Sequence, residues 1–192
     1  VYDMRVQGDG AGALLRFSAW QQQVRELAWI VGVGALEAEL AAAVRYAPHV
    51  TTITTPAAAR LLVLAEGKAS ATREELGVAF DRQDYGQTAV AARLSTDLPH
   101  GSEVGQWFQA PAVLALLPMD RPQPGHGLAL VWSLPTERAR EVMALSDADF
   151  EAALMRASEG AAGAVRLASS RAAWPLALAR AERVYGPGWV LV

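Results

Sequence analysis

Residues 61–94 read LLVLAEGKASATREELGVAFDRQDYGQTAVAARL, and the reading of this stretch decides the fold. Leu61-Leu62-Val63-Leu64 is an unalternating apolar run, the pattern of a strand buried on both faces of a parallel sheet. Glu66-Gly67 follows at once. A glycine there lets the chain turn with positive φ and lets its backbone approach a ligand such as a phosphate. Ser70 is placed to cap a short helix, and Arg73 carries a fork of donors suited to a pyrophosphate. Tyr85-Gly86-Gln87 then opens another strand. Strand, acidic-glycine turn, short helix and strand is an order suited to a nucleotide cofactor crossing between two domains. The same residues also read as an ordinary strand-to-helix turn with a solvated arginine, and both readings stay open at this point.

Working outward, Met4 to Phe17 has the form of a hairpin about the turn Gly8 to Gly12. Ala35 to Tyr46 reads as a helix, with Leu36, Leu40 and Val44 on one stripe and Pro48 beyond its end. Val50 to Thr55 is rich in β-branched residues and reads as a short strand. Pro56 and an alanine run connect it to Leu61. Thr88 to Leu94 alternates only loosely. Leu114-Ala115-Leu116-Leu117 and Leu128 to Trp132 flank Asp120 to Gly125, a proline- and glycine-rich hairpin loop. Ser146, with Asp149 three residues on, begins a helix in the manner of a capping box, and Phe150 and Leu154 stack on its apolar side.

Hairpin-joined strands in the second half point to an antiparallel sheet with helices on one face, whereas Val50 to Leu64 has the character of an α/β sheet. The expected fold class is therefore α+β, built from two structural units.

The bulk properties exclude several functions. The chain has 192 residues, 52% of them hydrophobic and 19% charged, which is a globular composition long enough for one large or two small domains. Its net charge is −3 with no basic cluster, so nucleic acid is not an expected partner. There is no cysteine, and the three histidines (His49, His100, His126) have no ligand spacing, so no metal site is expected. No apolar run approaches the roughly 20 residues of a membrane-spanning helix, and a cytoplasmic protein is the expectation. No Ser-His-Asp set or carboxylate pair stands out, so no catalytic residue is assigned. Asp97, Glu103 and the acids of the last helix read as solvated, and His100 as a turn residue. Pro118 reads as a strand-ending or edge-strand proline. The chain opens on Val1 and closes on the apolar run Trp189-Val190-Leu191-Val192, and both ends are expected to be cuts in a longer protein.

Several segments resemble, in order, the ubiquinone-biosynthesis branch of the FAD-dependent aromatic-ring hydroxylases. Glu66, Gly67, Ser70, Arg73, Leu76 and Gly77 match the family's second nucleotide motif, with Glu66 in place of the usual Asp. Tyr85 to Ala89, Pro99-His100-Gly101, Gln106-Trp107-Phe108, Leu114 to Pro118, Leu130-Val131-Trp132 and Arg171 to Leu176 follow in the family's sequence. Met4-Arg5-Val6 and Leu27 to Val31 fit as well. The family's G-x-G-x-x-G fingerprint is absent, since Gly32-Val33-Gly34 is followed by Glu37 where the third glycine belongs. The family's Gly-Asp motif, expected directly after Val192, is also absent.

The resemblance implies a substrate-domain hairpin over 1–30, part of a Rossmann-like FAD domain over 31–83, the substrate domain over 84–170, and a return to the FAD domain over 171–192. It implies a monooxygenase that uses FAD, NAD(P)H and O2 to hydroxylate a prenylated phenol, with the fragment itself inactive. Glu66, Gly67, Ser70 and Arg73 would hold cofactor. Trp107, Phe108, Leu116, Pro118 and Trp132 would line an apolar substrate pocket. A prenylated substrate further implies attachment at the inner membrane surface and pathway proteins as partners. Two other readings remain open: a non-catalytic lipid- or partner-binding module, and a hydroxylase of another aromatic substrate.

Overall fold

The computed structural model describes residues 1–10, 12–55 and 57–192, with the side chain of Lys68 left aside. Ala11, in the expected hairpin turn, and Pro56, in the expected connector, lie outside the described residues. The chain divides into two compact units. The first comprises Val1–Ala35 and Gly86–Leu176, and the second Leu36–Tyr85 and Ala177–Val192.

The first unit is built on a large, mainly antiparallel sheet. Strands β1 (Asp3–Gln7) and β2 (Leu14–Ser18) form the expected hairpin. Strands β5 (Glu103–Gln109), β6 (Ala112–Met119) and β7 (Gly127–Pro135) form a meander, with a tight turn between β5 and β6 and the expected proline- and glycine-rich loop between β6 and β7. Strand β4 (Phe80–Thr96) pairs with β7, and the short β8 (Val165–Leu167) pairs with β4. The order is β2-β1-β5-β6-β7-β4-β8, with β9 (Ala172–Ala181) also pairing with β4. Among the pairings with described registers, only β1 with β5 is parallel in this sheet. The α+β expectation is met.

One face of this sheet carries the core. The registers align Trp107, Leu114, Trp132 and Val90 in one row across β5, β6, β7 and β4. Leu116, Leu130 and Ala92 form the next row. Helices α3 (Thr136–Ala144) and α4 (Asp147–Ala157) supply Ala139, Val142, Phe150 and Leu154 to the same cluster. Phe150 and Leu154 are fully buried, and Phe150 meets Trp132 edge-on with ring centroids 6.4 Å apart. Such pairs add to the area term because ring edges and faces carry opposite partial charge. The expected start of α4 is observed: the Ser146 hydroxyl accepts from the Asp149 amide at 3.2 Å and donates to its carboxylate at 2.6 Å.

Two expectations in this unit are corrected. Glu151, in α4, is not solvated: it accepts from the Leu167 amide and from Arg166, tying the helix to β8. Pro118 does not lie on an edge strand. It is buried inside β6 opposite Leu128, where pairing with β5 has already ended at Gly105–Leu116, so its missing N–H leaves no gap in that ladder.

The second unit is smaller. Helix α1 begins at Val33 and ends at Arg45, close to the expected span, and runs into this unit from Leu36 onward. Val50 to Thr55 is not a strand: no described strand pairs with it and its side chains are exposed, so β-branching alone does not make it one. Strands β10 (Tyr185–Gly186), β11 (Trp189–Leu191) and β3 (Leu62–Leu64) form a sheet in which β3 runs parallel to β11. Parallel pairing of β3 is as expected, but its burial is not. Only Leu64 is buried, while Leu62 and Val63 are 43% and 53% exposed, because β3 has one described neighbour and nothing described covers its outer side. Leu64, Val78 and Trp189 make a core of their own.

Candidate functional site

Beyond β3 the chain enters a compact turn. Gly67–Ala69 form a 3-10 turn, and Ser70 caps helix α2 (Ala71–Glu75) by accepting from the Arg73 amide at 3.0 Å. Gly67 has φ of +72°, a conformation that a side chain would strain. The helix ends at Glu75 with Leu76 as its C-cap, and Gly77 follows with φ of +64°, a common way to stop a helix. Val78, almost fully buried, leads into β4.

The Glu66 carboxylate organises the front of this turn. It accepts from the Ser70 hydroxyl at 2.7 Å, the Thr72 hydroxyl at 2.6 Å and the Thr72 amide at 3.2 Å. Donation from the Thr72 side chain, then from Ser70, holds its carboxyl below the usual carboxylate range, against a smaller desolvation effect. Thr72 was not among the expected site residues. The legible signal was the length of Glu66, which has one methylene more than aspartate and reaches six residues along the chain.

Arg73 secures the back of the turn, and the expectation of a solvated arginine is wrong for it. It is 5% exposed, and its guanidinium donates to the Val78 carbonyl and, at 2.9 Å, to Glu74. The guanidinium carbon lies 4.0 Å from the centre of the Phe80 ring, a cation–π stack. Its Nε is buried without a partner.

Glu66, Gly67, Ser70 and Arg73 all line one cavity of about 290 Å³ in the second unit. Its remaining walls are apolar, with Leu64, Phe80 and Leu191 among them. The cavity thus combines a glycine-opened backbone and a polar turn with a greasy floor. The Ser70 hydroxyl and the Arg73 terminal nitrogens are committed within the unit, so the turn offers a ligand its backbone at Gly67 beside an apolar wall.

The residues expected to line a substrate pocket fall in the first unit and do not share one surface. Trp107, Leu116 and Trp132 are 2%, 3% and 5% exposed, on the sheet face that α3 and α4 cover. Pro118 shares that face by register. Phe108 is 44% exposed on the opposite face, in register with Val113 and Ser133. Trp107 packs over Gly105, where a Cβ would come within 2.5 Å of the indole, and the Arg5 guanidinium sits 5.7 Å from its ring centre. Trp107 and Leu116 do border a cavity of about 300 Å³, together with Asp3, Arg5, His100 and Glu103. Phe108 borders a separate one of about 440 Å³ with Trp107, Asp9 and Glu159. Trp132 and Pro118 border neither. His100 is a turn residue, as expected, with its Nδ1 accepting from the Ser102 amide at 2.9 Å. Asp97 and Glu103 are both engaged: Asp97 accepts from the Ala164 amide, and Glu103 lies 3.5 Å from Arg5.

Among the described residues no group of three potential metal ligands comes together. No described helix is long and apolar enough to cross a membrane.

No protein-family model matches the chain. Individual proteins do. The chain is 30% identical over 134 residues to a ubiquinone hydroxylase, UbiM, of Neisseria meningitidis, covering 70% of the chain and 28% of that protein. It is 32% identical over 125 residues to a ubiquinone hydroxylase, UbiL, of Rhodospirillum rubrum, covering 65% of the chain and 28% of that protein. The matched stretch therefore spans little more than a quarter of each relative. Among solved structures, PqsL, a probable FAD-dependent monooxygenase from Pseudomonas aeruginosa, superposes with a TM-score of 0.70 at 16% identity, over 100% of this chain and 60% of that one. The sequence resemblance to ubiquinone hydroxylases is borne out, and the fold is that of flavin-dependent monooxygenases.

Proposed function

We propose that this relative of the ubiquinone hydroxylases is part of an FAD-dependent monooxygenase that hydroxylates a prenylated phenol on the route to ubiquinone. The observation that carries the reading is the convergence of Glu66, Gly67, Ser70 and Arg73 on one cavity beside a parallel strand. Those are the residues that the resemblance assigns to cofactor.

FAD, once bound and reduced by NAD(P)H, would supply the oxygen chemistry, and the chain supplies orientation and exclusion of water. Gly67 offers backbone for close approach to a phosphate. Ser70, held between the Glu66 carboxylate and the Arg73 amide, keeps the turn in one conformation. Glu66 sets the turn and does not itself face a phosphate favourably, since both are negative. The exposed Leu62 and Val63 of β3 fit a strand that further elements of a dinucleotide domain would cover.

On the substrate side, Trp107, Leu116, Pro118 and Trp132 stiffen the sheet from beneath. Phe108, with Val113 and its neighbours on the opposite face, presents apolar surface to an aromatic ring. A prenylated substrate would bring the intact enzyme to the membrane surface and toward other proteins of the pathway.

The test is a polypeptide that joins these 192 residues to a dinucleotide-fingerprint segment. A bound-flavin spectrum and NAD(P)H- and O2-dependent hydroxylation of a prenylated phenol are the expected results. A flavin-free protein that binds the phenol tightly would replace this reading with that of a binding module.

A further inference from the structure

Behind the sheet face that carries Phe108, the helix-covered face borders the cavity of about 300 Å³ that has no role so far. All of its lining residues belong to the first unit. Trp107, Leu116 and Leu128 give it an apolar floor, and Ala162 lines its side. Its charges do not cancel. The Arg5 guanidinium lies 3.5 Å from Glu103 through Nε and 5.7 Å from the Trp107 ring centre. Asp3, the register neighbour of Glu103, has no ion pair among the described residues. Two carboxylates therefore border the cavity with one guanidinium, an excess that works against an anionic guest. The Thr96 hydroxyl already donates to the Leu98 carbonyl at 2.7 Å. His100 differs. Its Nδ1 accepts from the Ser102 amide, so the neutral ring carries its proton on Nε2, and that atom is buried without a partner among the described residues. A buried donor left unpaired is costly.

We propose that this cavity is a binding site for a small neutral phenol, held behind the sheet and separate from the face assigned to the reacting ring. A phenolic hydroxyl donates and accepts at once. It gives its proton to the Asp3 carboxylate, and its oxygen, met by a small turn of the imidazole, takes the Nε2–H of His100. The ring lies against Leu116 and Leu128. A carboxylate in the same place would satisfy His100 but meet Asp3 as a like charge. An ammonium would suit Asp3 and leave His100 unpaired. A volume of about 300 Å³ stands at the small end for ligand cavities, with room for one ring and none for a prenyl tail. Trp107 and Phe108 are adjacent in β5 and point to opposite faces, so the thickness of the sheet separates this guest from a ring held at Phe108. The site asks nothing of the flavin and does not rest on the dinucleotide reading.

The experiment is a titration of the 192-residue chain with 4-methylphenol, 4-methylbenzoate and toluene, followed by methyl and indole NMR. 4-Methylphenol is expected to saturate, with intermolecular NOEs to the methyls of Leu98, Leu116 and Leu128. 4-Methylbenzoate and toluene are expected to bind about tenfold more weakly, the first because of the Asp3 charge and the second for want of a hydroxyl. Asp3→Asn is expected to narrow the preference for the phenol over the benzoate. His100→Asn keeps an acceptor for the Ser102 amide but has no Nε2, and it is expected to weaken the phenol by about tenfold. Ala162→Phe, which fills the cavity, is expected to abolish binding. Absence of saturation, or equal affinity for all three compounds, overturns the proposal. So do NOEs confined to the methyls of Val113 and Val131, which share the face of Phe108. If Ala162→Phe fails to fold, Asp3→Asn and His100→Asn still decide, and unchanged binding in both overturns the site. None of these outcomes bears on the FAD reading, which a bound-flavin spectrum tests by itself.

Discussion

The two units of this chain solve the same problem, burying an apolar strand, with very different completeness. In the first, the rows Trp107-Leu114-Trp132 and Leu116-Leu130 lie under two helices, and their exposure falls to between 1% and 5%. In the second, three short strands bury Leu64, Val78 and Trp189 and leave Leu62 and Val63 about half exposed. The cofactor-motif residues sit in the thin unit, held by hydrogen bonds and a cation–π stack more than by packing. Packing gives the sheet its permanence, and a network of polar contacts gives the turn its shape.

The largest effect that would sharpen this contrast is Phe150→Ala. Removing a fully buried ring that meets Trp132 should cost about 3–5 kcal/mol, read as a drop in the urea midpoint of the first unit. A loss below about 1 kcal/mol would break the contrast. Gly105→Ala comes next. The added Cβ would fall within 2.5 Å of the Trp107 indole, so overpacking by about 1–3 kcal/mol is expected, with a changed tryptophan fluorescence maximum. Ser146→Ala and Ser70→Ala each remove a helix cap, at about 1 kcal/mol, measurable by thermal denaturation. The two should differ in reach, because Ser70 also donates to Glu66 and Ser146 bonds only its own turn. Leu62→Ala, on the exposed strand, should change stability by no more than about 0.5 kcal/mol.

Acid should loosen the Glu66 turn of the thin unit. The folded Glu66 carboxyl titrates below its unfolded value, so its contribution to stability is present above the ordinary carboxylate range. It is lost as the pH falls through the depressed folded value. A pH series of amide spectra should show Ser70 and Thr72 moving with the Glu66 titration while residues 128–134 stay fixed.

Much of the first unit was legible in the sequence, because its signals are local. The hairpin about Gly8–Gly12, the loop at Asp120–Gly125 and the Ser146 cap each depend on a few adjacent residues. What escaped depends on neighbours distant in sequence. Val50–Thr55 has strand-like residues but no pairing partner among the described residues. Glu151 is buried because β8 returns to it from 15 residues on. At the candidate site, the residue types of the motif were readable, but the use of Arg73 was not. Nothing in the spacing tells whether an arginine faces solvent, an anion or, as here, the ring of Phe80. For the aromatic residues the difficulty was the face of the sheet. Trp107 and Phe108 are adjacent, so they necessarily point to opposite sides, and only the register decides which side the helices cover.

The most direct test of the account is hydrogen exchange on the 192-residue chain, mapped by segment. Slow exchange is expected across β6 and β7 and at the interior of β4, with exchange at least a hundredfold faster (a difference of about 2.7 kcal/mol) at β3 and β11. Equal protection of β3 and β7 would contradict the account. It would mean that the unit carrying Glu66 to Arg73 is complete by itself and leaves no strand for a larger dinucleotide domain to cover.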